Sequence, residues 1–247
     1  MVSCETVPQL TVLQWVLAVV CAFSVGVAKT GMPGLGIFVV PTMVLIVGDA
    51  RQSAGWLLPV MCTADVVAIY FWRRHAAAGR LFSLTPWVVV GMVMGAFALS
   101  WEDRVLRPVV GAIVLVMLAI FLYRRFRPSL SPSSGALPYG VMAGFATTVA
   151  NAAGPVMNLY LLSKRLPKEE FIATGAWFFF IINLTKVPIY LWHGLITPVS
   201  LRFDAAMAPA VLAGAIMGRW LVEHIPLRVF EGAVVALTAI STLMLFR

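Results

Sequence analysis

A chain of 247 residues in which 61% are hydrophobic and only 11% charged is not an ordinary soluble domain. Its formal charge of +8 would suit a nucleic-acid partner in a soluble protein, but the basic residues gather between apolar runs, as the positive-inside bias requires, so no nucleic acid is expected. The runs follow one another too closely to admit a soluble catalytic domain, and the lipid bilayer is the environment to expect.

In chain order the apolar segments fall at residues 10–28, 36–48, 52–72, 86–100, 105–123, 136–150, 154–163, 170–192, 204–221 and 226–246. The first lacks a basic n-region and is too long for a signal-peptide core, so it reads as a retained membrane segment. Segments 36–48 and 154–163 are too short to cross alone. Residues 126–135, basic at first and then rich in Pro and Ser, form a linker that divides the chain into a first membrane repeat, 1–125, and a second, 136–247.

The halves match when the second is slid back by about 120 residues. Ala54-Gly55 falls on Thr174-Gly175, Ile69-Tyr70-Phe71-Trp72 on Ile189-Tyr190-Leu191-Trp192, Pro86 on Pro209, Gly91 and Gly95 on Gly214 and Gly218, and Arg107 and Gly111 on Arg228 and Gly232. The expected fold is therefore an all-α polytopic membrane protein of two repeats, each a broken helix hairpin followed by three spanning helices. An odd number of crossings makes the repeats inverted, with both termini outside. Arg73, Arg74, Arg80, Arg124, Arg125, Arg127, Lys164, Arg165, Lys168, Arg219 and Arg228 then lie inside, against Arg51, Arg104, Arg107, Arg202 and Arg247 outside.

Two polar interruptions carry the chemistry. Lys29-Thr30-Gly31-Met32-Pro33-Gly34 breaks the first half and Asn151-Ala152-Ala153-Gly154-Pro155 the second. Pro33 and Pro155 suit the first turn of a following helix, and Gly31, Gly34 and Gly154 let a ligand approach the backbone. Two helix N-termini meeting near the midplane would make a cavity that favours an anion.

Lys29 lies on the first break. Lys186 lies in segment 170–192, with Asn183 one turn before it and Tyr190 one turn after. Asp65 is the one carboxylate in the middle of an apolar segment. It suits proton coupling, a buried ion pair with a lysine, or a water-facing position. Snorkelling is the alternative for both lysines, a hairpin turn for Asn151, and capping of their own helices for Thr30 and Thr148.

The remaining conspicuous residues read as structural. The Gly-x-x-x-Gly pairs let helices pack closely, within the chain or in a homodimer. Trp72, Trp101 and Trp192 fit an aromatic belt, and Glu102-Asp103 and Glu169-Glu170 read as loop charges. Cys4, Cys21 and Cys62 lack metal or redox spacing, His75, His193 and His224 are widely separated, and no nucleophile elbow or phosphate loop is present. No metal, cofactor or enzymatic activity is expected.

The run Ala28-Lys29-Thr30-Gly31-Met32-Pro33-Gly34-Leu35-Gly36, the Asn151 break followed by Leu159-Tyr160-Leu161-Leu162, the stretch from Leu166 to Phe179, and Asn183-Leu184-Thr185-Lys186-Val187-Pro188-Ile189-Tyr190 together resemble the TauE/SafE family of sulfite and organosulfonate exporters. The resemblance covers almost the whole chain. It implies a multi-pass transporter of the bacterial inner membrane that exports a small sulfur-containing oxyanion, such as sulfite or sulfoacetate, by alternating access linked to the proton gradient. It also implies Lys29, Asn151 and Lys186 as the anion site. The alternatives are an anion channel and a carrier of another small organic anion.

Overall fold

The computed structural model describes residues 10–75, 78–98, 103–126, 135–150 and 153–243; Asn151, Trp101, Glu102 and linker residues 127–134 lie outside them. Ten α-helices account for nearly all of the described chain: α1 (Val12–Thr30), α2 (Val39–Val47), α3 (Ala50–Trp72), α4 (Ala78–Ala98), α5 (Asp103–Phe126), α6 (Ala136–Ala150), α7 (Ala153–Ser163), α8 (Lys168–Trp192), α9 (Pro198–His224) and α10 (Leu227–Leu243), with a 3₁₀ turn, Leu35–Phe38, leading into α2. Every predicted apolar segment is a helix. Among them α1, Gln52–Trp72 of α3, α8 and α9 are long and apolar enough to cross a membrane.

Two helices start well before their apolar runs. α4 begins at Ala78 rather than 86, and α9 at Pro198 rather than 204. Hydropathy marks the stretch that must avoid water, whereas the start of a helix is set by where its free amides find partners. At α9 the Thr197 hydroxyl accepts from the Ser200 amide, the Ser200 hydroxyl accepts from the Thr197 amide, and Pro198 occupies the first helical position. Glu169 and Glu170, expected as loop charges, lie in the first turn of α8, where the helix dipole favours them.

The distribution of polarity is the reverse of a soluble protein. Val12 is 82% exposed and Phe97 78%, while Asp65, Thr30, Ser200 and Thr238 are fully buried. Hydrocarbon accepts the apolar exterior, and the polar groups turn inward to find partners.

The helices form two compact units. One comprises residues 1–74 and 176–225, the other 75–175 and 226–247, and α8 passes from one to the other. Each unit therefore draws on both halves of the sequence.

In the first unit α1 packs along α9 at a crossing lined by Gly26, Gly31, Gly214 and Gly218. A Cβ on Gly214 would collide with the Phe23 carbonyl, and one on Gly31 with the Gly218 backbone. Around this crossing α1, α2, α3 and α9 share an apolar core that includes Ala18, Val25, Met43, Leu57, Phe203 and Val211. In the second unit α4 packs along α6 in the same manner. Gly91 meets the Val141 carbonyl and the Phe145 amide, and Gly144 meets Val88. Val141 stands to Gly91 as Phe23 stands to Gly214, so one kind of crossing is built in each unit. Both Gly-x-x-x-Gly faces are thus filled within the chain, which removes them as a homodimer surface.

Candidate functional site

The first break is built by local backbone chemistry. The amides of Gly31 and Met32 both return to the Val27 carbonyl, at 2.8 and 3.0 Å, which closes α1. Pro33 then precludes further helix, and Gly34, at φ 109°, takes the left-handed conformation that turns the chain into Leu35–Phe38. Pro33 therefore ends one helix and precedes the 3₁₀ turn, rather than opening the next helix as expected. The chain returns along α1, and the Gln14 side chain donates to the Ile46 carbonyl at 3.0 Å. α1 and α2 thus form the expected hairpin.

The break lies toward one end of α9. Gly31 abuts Gly218, six residues before the end of α9, or about 9 Å along the axis. The indole of Trp72, the last residue of α3, donates to the Thr30 carbonyl at 3.0 Å. The break is therefore displaced toward the Trp72–His224 end of this unit. Trp72 is 4% exposed, so it belongs to this junction and not to an aromatic belt.

Lys29 is helical, in the last turn of α1, where the negative end of the dipole favours a cation. Side chains of a helix lean toward its N-terminus, so Lys29 reaches back into the unit. Its Nζ lies 2.7 Å from Asp65 Oδ1, and its ammonium sits 4.4 Å from the centre of the Phe179 ring. Asn183 Nδ2 donates to the other oxygen, Oδ2, at 2.7 Å. The Lys29 side chain is 12% exposed and that of Asp65 fully buried. The lysine comes from α1, the carboxylate from α3, and the amide and ring from α8. Far apart in the sequence, they together make one charge-assisted cluster.

Lys186 lies one turn after Asn183 on α8, close enough to Lys29 to feel its charge. Cys62, one turn before Asp65, lies within electrostatic range of Lys29, Asp65 and Lys186.

Other predicted residues have different surroundings. The Thr30 hydroxyl is shared between the carbonyls of Gly26, at 2.9 Å, and Ala215, at 2.8 Å, so its one proton serves helix packing. Thr148 returns to the Gly144 carbonyl of its own helix at 2.9 Å. Gly154 and Pro155 lie in the first turn of α7, in the second unit, as expected for the opening of a helix. A Cβ on Gly154 would meet nothing within 4 Å. Gly154→Ala should therefore leave stability unchanged or raise it by up to about 1 kcal/mol, as thermal unfolding will show, because Ala suits a helix better than Gly.

Phe179 and Asp204 were missed at the sequence level. An aromatic over a lysine is indistinguishable from any other Phe in a run of them. Asp204 was read as the edge of a segment, and the Thr197-Pro198 start signal is what should have moved the helix boundary past it.

No curated protein and no solved structure matches the chain. The family model described as "Sulfite exporter TauE/SafE" matches residues 17–245, which takes in both breaks, the Lys29–Asp65–Asn183 cluster and Lys186. The chain accordingly belongs to the TauE/SafE sulfite exporter family of multi-pass membrane transporters.

Proposed function

We propose that the protein is a secondary transporter that exports a small sulfur-containing oxyanion, sulfite or an organosulfonate such as sulfoacetate, from the bacterial cytoplasm by alternating access. The observation that carries this reading is the ion pair Lys29–Asp65, buried among membrane-crossing helices beside a helix break, with Lys186 near it. An anion entering at the break takes the place of Asp65 at Lys29 and is held by both lysines. Asn183 and the Gly34 amide orient its oxygens, since the Gly31 and Met32 amides are held by the Val27 carbonyl and Pro33 has none. Protonation of Asp65 releases Lys29 for the anion, and after the cargo has left, loss of that proton restores the pair for the empty return step.

The inverted-repeat plan belongs to this proposal. Within their units α1 runs parallel to α9, and α4 to α6, since the contacts advance together along each pair. Five residues, 73–77, separate α3 from α4, and they reach at most about 18 Å. α3 is about 34 Å long, and the proposed plan has the chain reverse direction across the membrane between successive spanning helices. With reversal at each connection, an arrangement in which the first helix of one repeat parallels the fourth of the other suits inverted copies. The end of the first unit that carries Arg73, Arg74 and Arg219 would then face the cytoplasm, with both termini outside.

The test is thermal unfolding of the purified protein with sulfite, sulfoacetate, sulfate, chloride and a carboxylate of similar size. A ligand of the folded state at a hundred times its Kd adds about 2.7 kcal/mol. Selective stabilisation by sulfite or a sulfonate, lost in Lys186→Ala, is expected. Equal response to every anion, or response to none, overturns the cargo and the site.

A further inference from the structure

Asp204 lies two turns inside α9, a helix that crosses the membrane, and no cation is paired with it among the described contacts. A carboxylate at such depth is costly to keep without a task. Its partner is Thr63 of α3, whose hydroxyl lies 3.4 and 3.3 Å from the two carboxylate oxygens. Arg202, two positions earlier, leaves α9 on another side. Pro209 withholds from the Ala205 carbonyl the helical donor it would otherwise have, so a further free oxygen lies next to Asp204.

Two polar stripes lead to this pair. On α3, Asp49, Gln52, Trp56 and Thr63 recur at helical spacing, and on α9 Thr197, Ser200 and Asp204 do the same. Asp49, Gln52, Trp56 and Thr197, with His193, line a cavity of about 570 Å³ at the end of the unit away from the break. Trp56, on the cavity wall, packs at a tilt against Phe203, ring centres 5.0 Å apart, and Phe203 adjoins Asp204 in the chain. Beyond Asp204, the Cys62 thiol of α3 lies within electrostatic range of both carboxylates, Asp204 and Asp65, and of Lys29 of α1 and Lys186 of α8. The seam between α3 and α9 thus runs from a polar cavity, past one carboxylate, to the residue that holds Lys29.

The geometry points to Asp204 as the proton relay of the transport cycle. This rests on the transport reading above. A hydronium in the Asp49–His193 cavity gives its proton to the Asp204 carboxylate, which Thr63 holds in place. The acid so formed passes the proton to Asp65, by way of the Cys62 thiol or water in the seam, and returns to a carboxylate. Lys29 stays an ammonium throughout and is freed when Asp65 becomes neutral.

The test uses the full chain in proteoliposomes with labelled sulfoacetate. It compares exchange without any gradient with net flux driven by an imposed pH gradient. Asp204→Asn should exchange within about twofold of the native protein, since substrate contacts are unchanged. Its pH-driven flux should fall at least about a hundredfold, the scale of a lost proton-transfer group. Asp204→Glu should retain both modes. If Asp204→Asn does not fold, Thr63→Val carries the same prediction, because it removes the hydroxyl at constant volume.

Undiminished pH-driven flux in Asp204→Asn overturns the relay. So does a parallel loss of exchange and net flux in folded protein, or net flux that follows a sodium gradient instead of pH. A native protein with neither mode overturns the transport reading itself, and the relay with it.

Discussion

Lys29→Met will destabilise the protein by about 3–5 kcal/mol, the usual cost of stripping one partner from a buried ion pair. Asp65 is fully buried, and without Lys29 its carboxylate would keep only the Asn183 amide. The converse change should cost less. In Asp65→Asn the new amide oxygen still accepts from Asn183, and Lys29 keeps the face of Phe179 and its partial exposure, so about 1–3 kcal/mol is expected. Combining the two should recover most of the Lys29→Met loss, because no isolated charge is then left behind. Chemical unfolding of the four proteins in the same detergent closes this double-mutant cycle. Additive losses would show that the pair carries no coupling energy, and the reading of the site would lose its foundation. All three variants should fail to transport sulfoacetate even where stability returns, since the proposed cycle needs both the cation and the carboxylate.

Gly214→Leu should have an effect of similar size by a different cause. A Cβ at this position already meets the Phe23 carbonyl and Cα, which are backbone and cannot turn aside. Overpacking of a tight core costs about 1–3 kcal/mol and more where backbone must shift, and here α1 must leave α9 to admit the side chain. Gly91→Leu should do the same to the α4–α6 crossing, because the Val141 carbonyl and the Phe145 amide occupy the equivalent space. Gly232→Leu provides the contrast, since nothing lies within 4 Å of a Cβ there. Loss of monodisperse protein for the first two and not the third is the expected outcome on size exclusion. Equal tolerance at all three positions would mean that the crossings are looser than the structure has them.

These two effects mark the limits of what could be read in advance. The Gly-x-x-x-Gly spacing announced close packing, yet either face served a neighbour in the same chain as readily as a second copy. Only the packing of Phe23 on Gly214 and of Val141 on Gly91 decided it. Similarly, the oddity of Lys29 and Asp65 was legible from the energetic cost of charge in an apolar run, and the choice among their roles was not. A linear sequence does not say which of two lysines a carboxylate meets. The neighbours of the first break were not legible for a related reason: an apolar run shows how long a segment is, but where its end falls is set by the helices it packs on, here through Gly218 and Trp72.

The sequence by itself determined the class, the helical segments, the first break and the family, since each depends on local composition or on spacing along the chain. Tertiary structure decided that Lys29 pairs with Asp65 rather than standing free, that Asn183 and Phe179 complete its surroundings, that Thr30 is committed to packing, and that Asp204 lies within a membrane helix. Those are meetings between residues far apart in the chain. They follow from which helix faces converge, and a single sequence carries no record of that convergence.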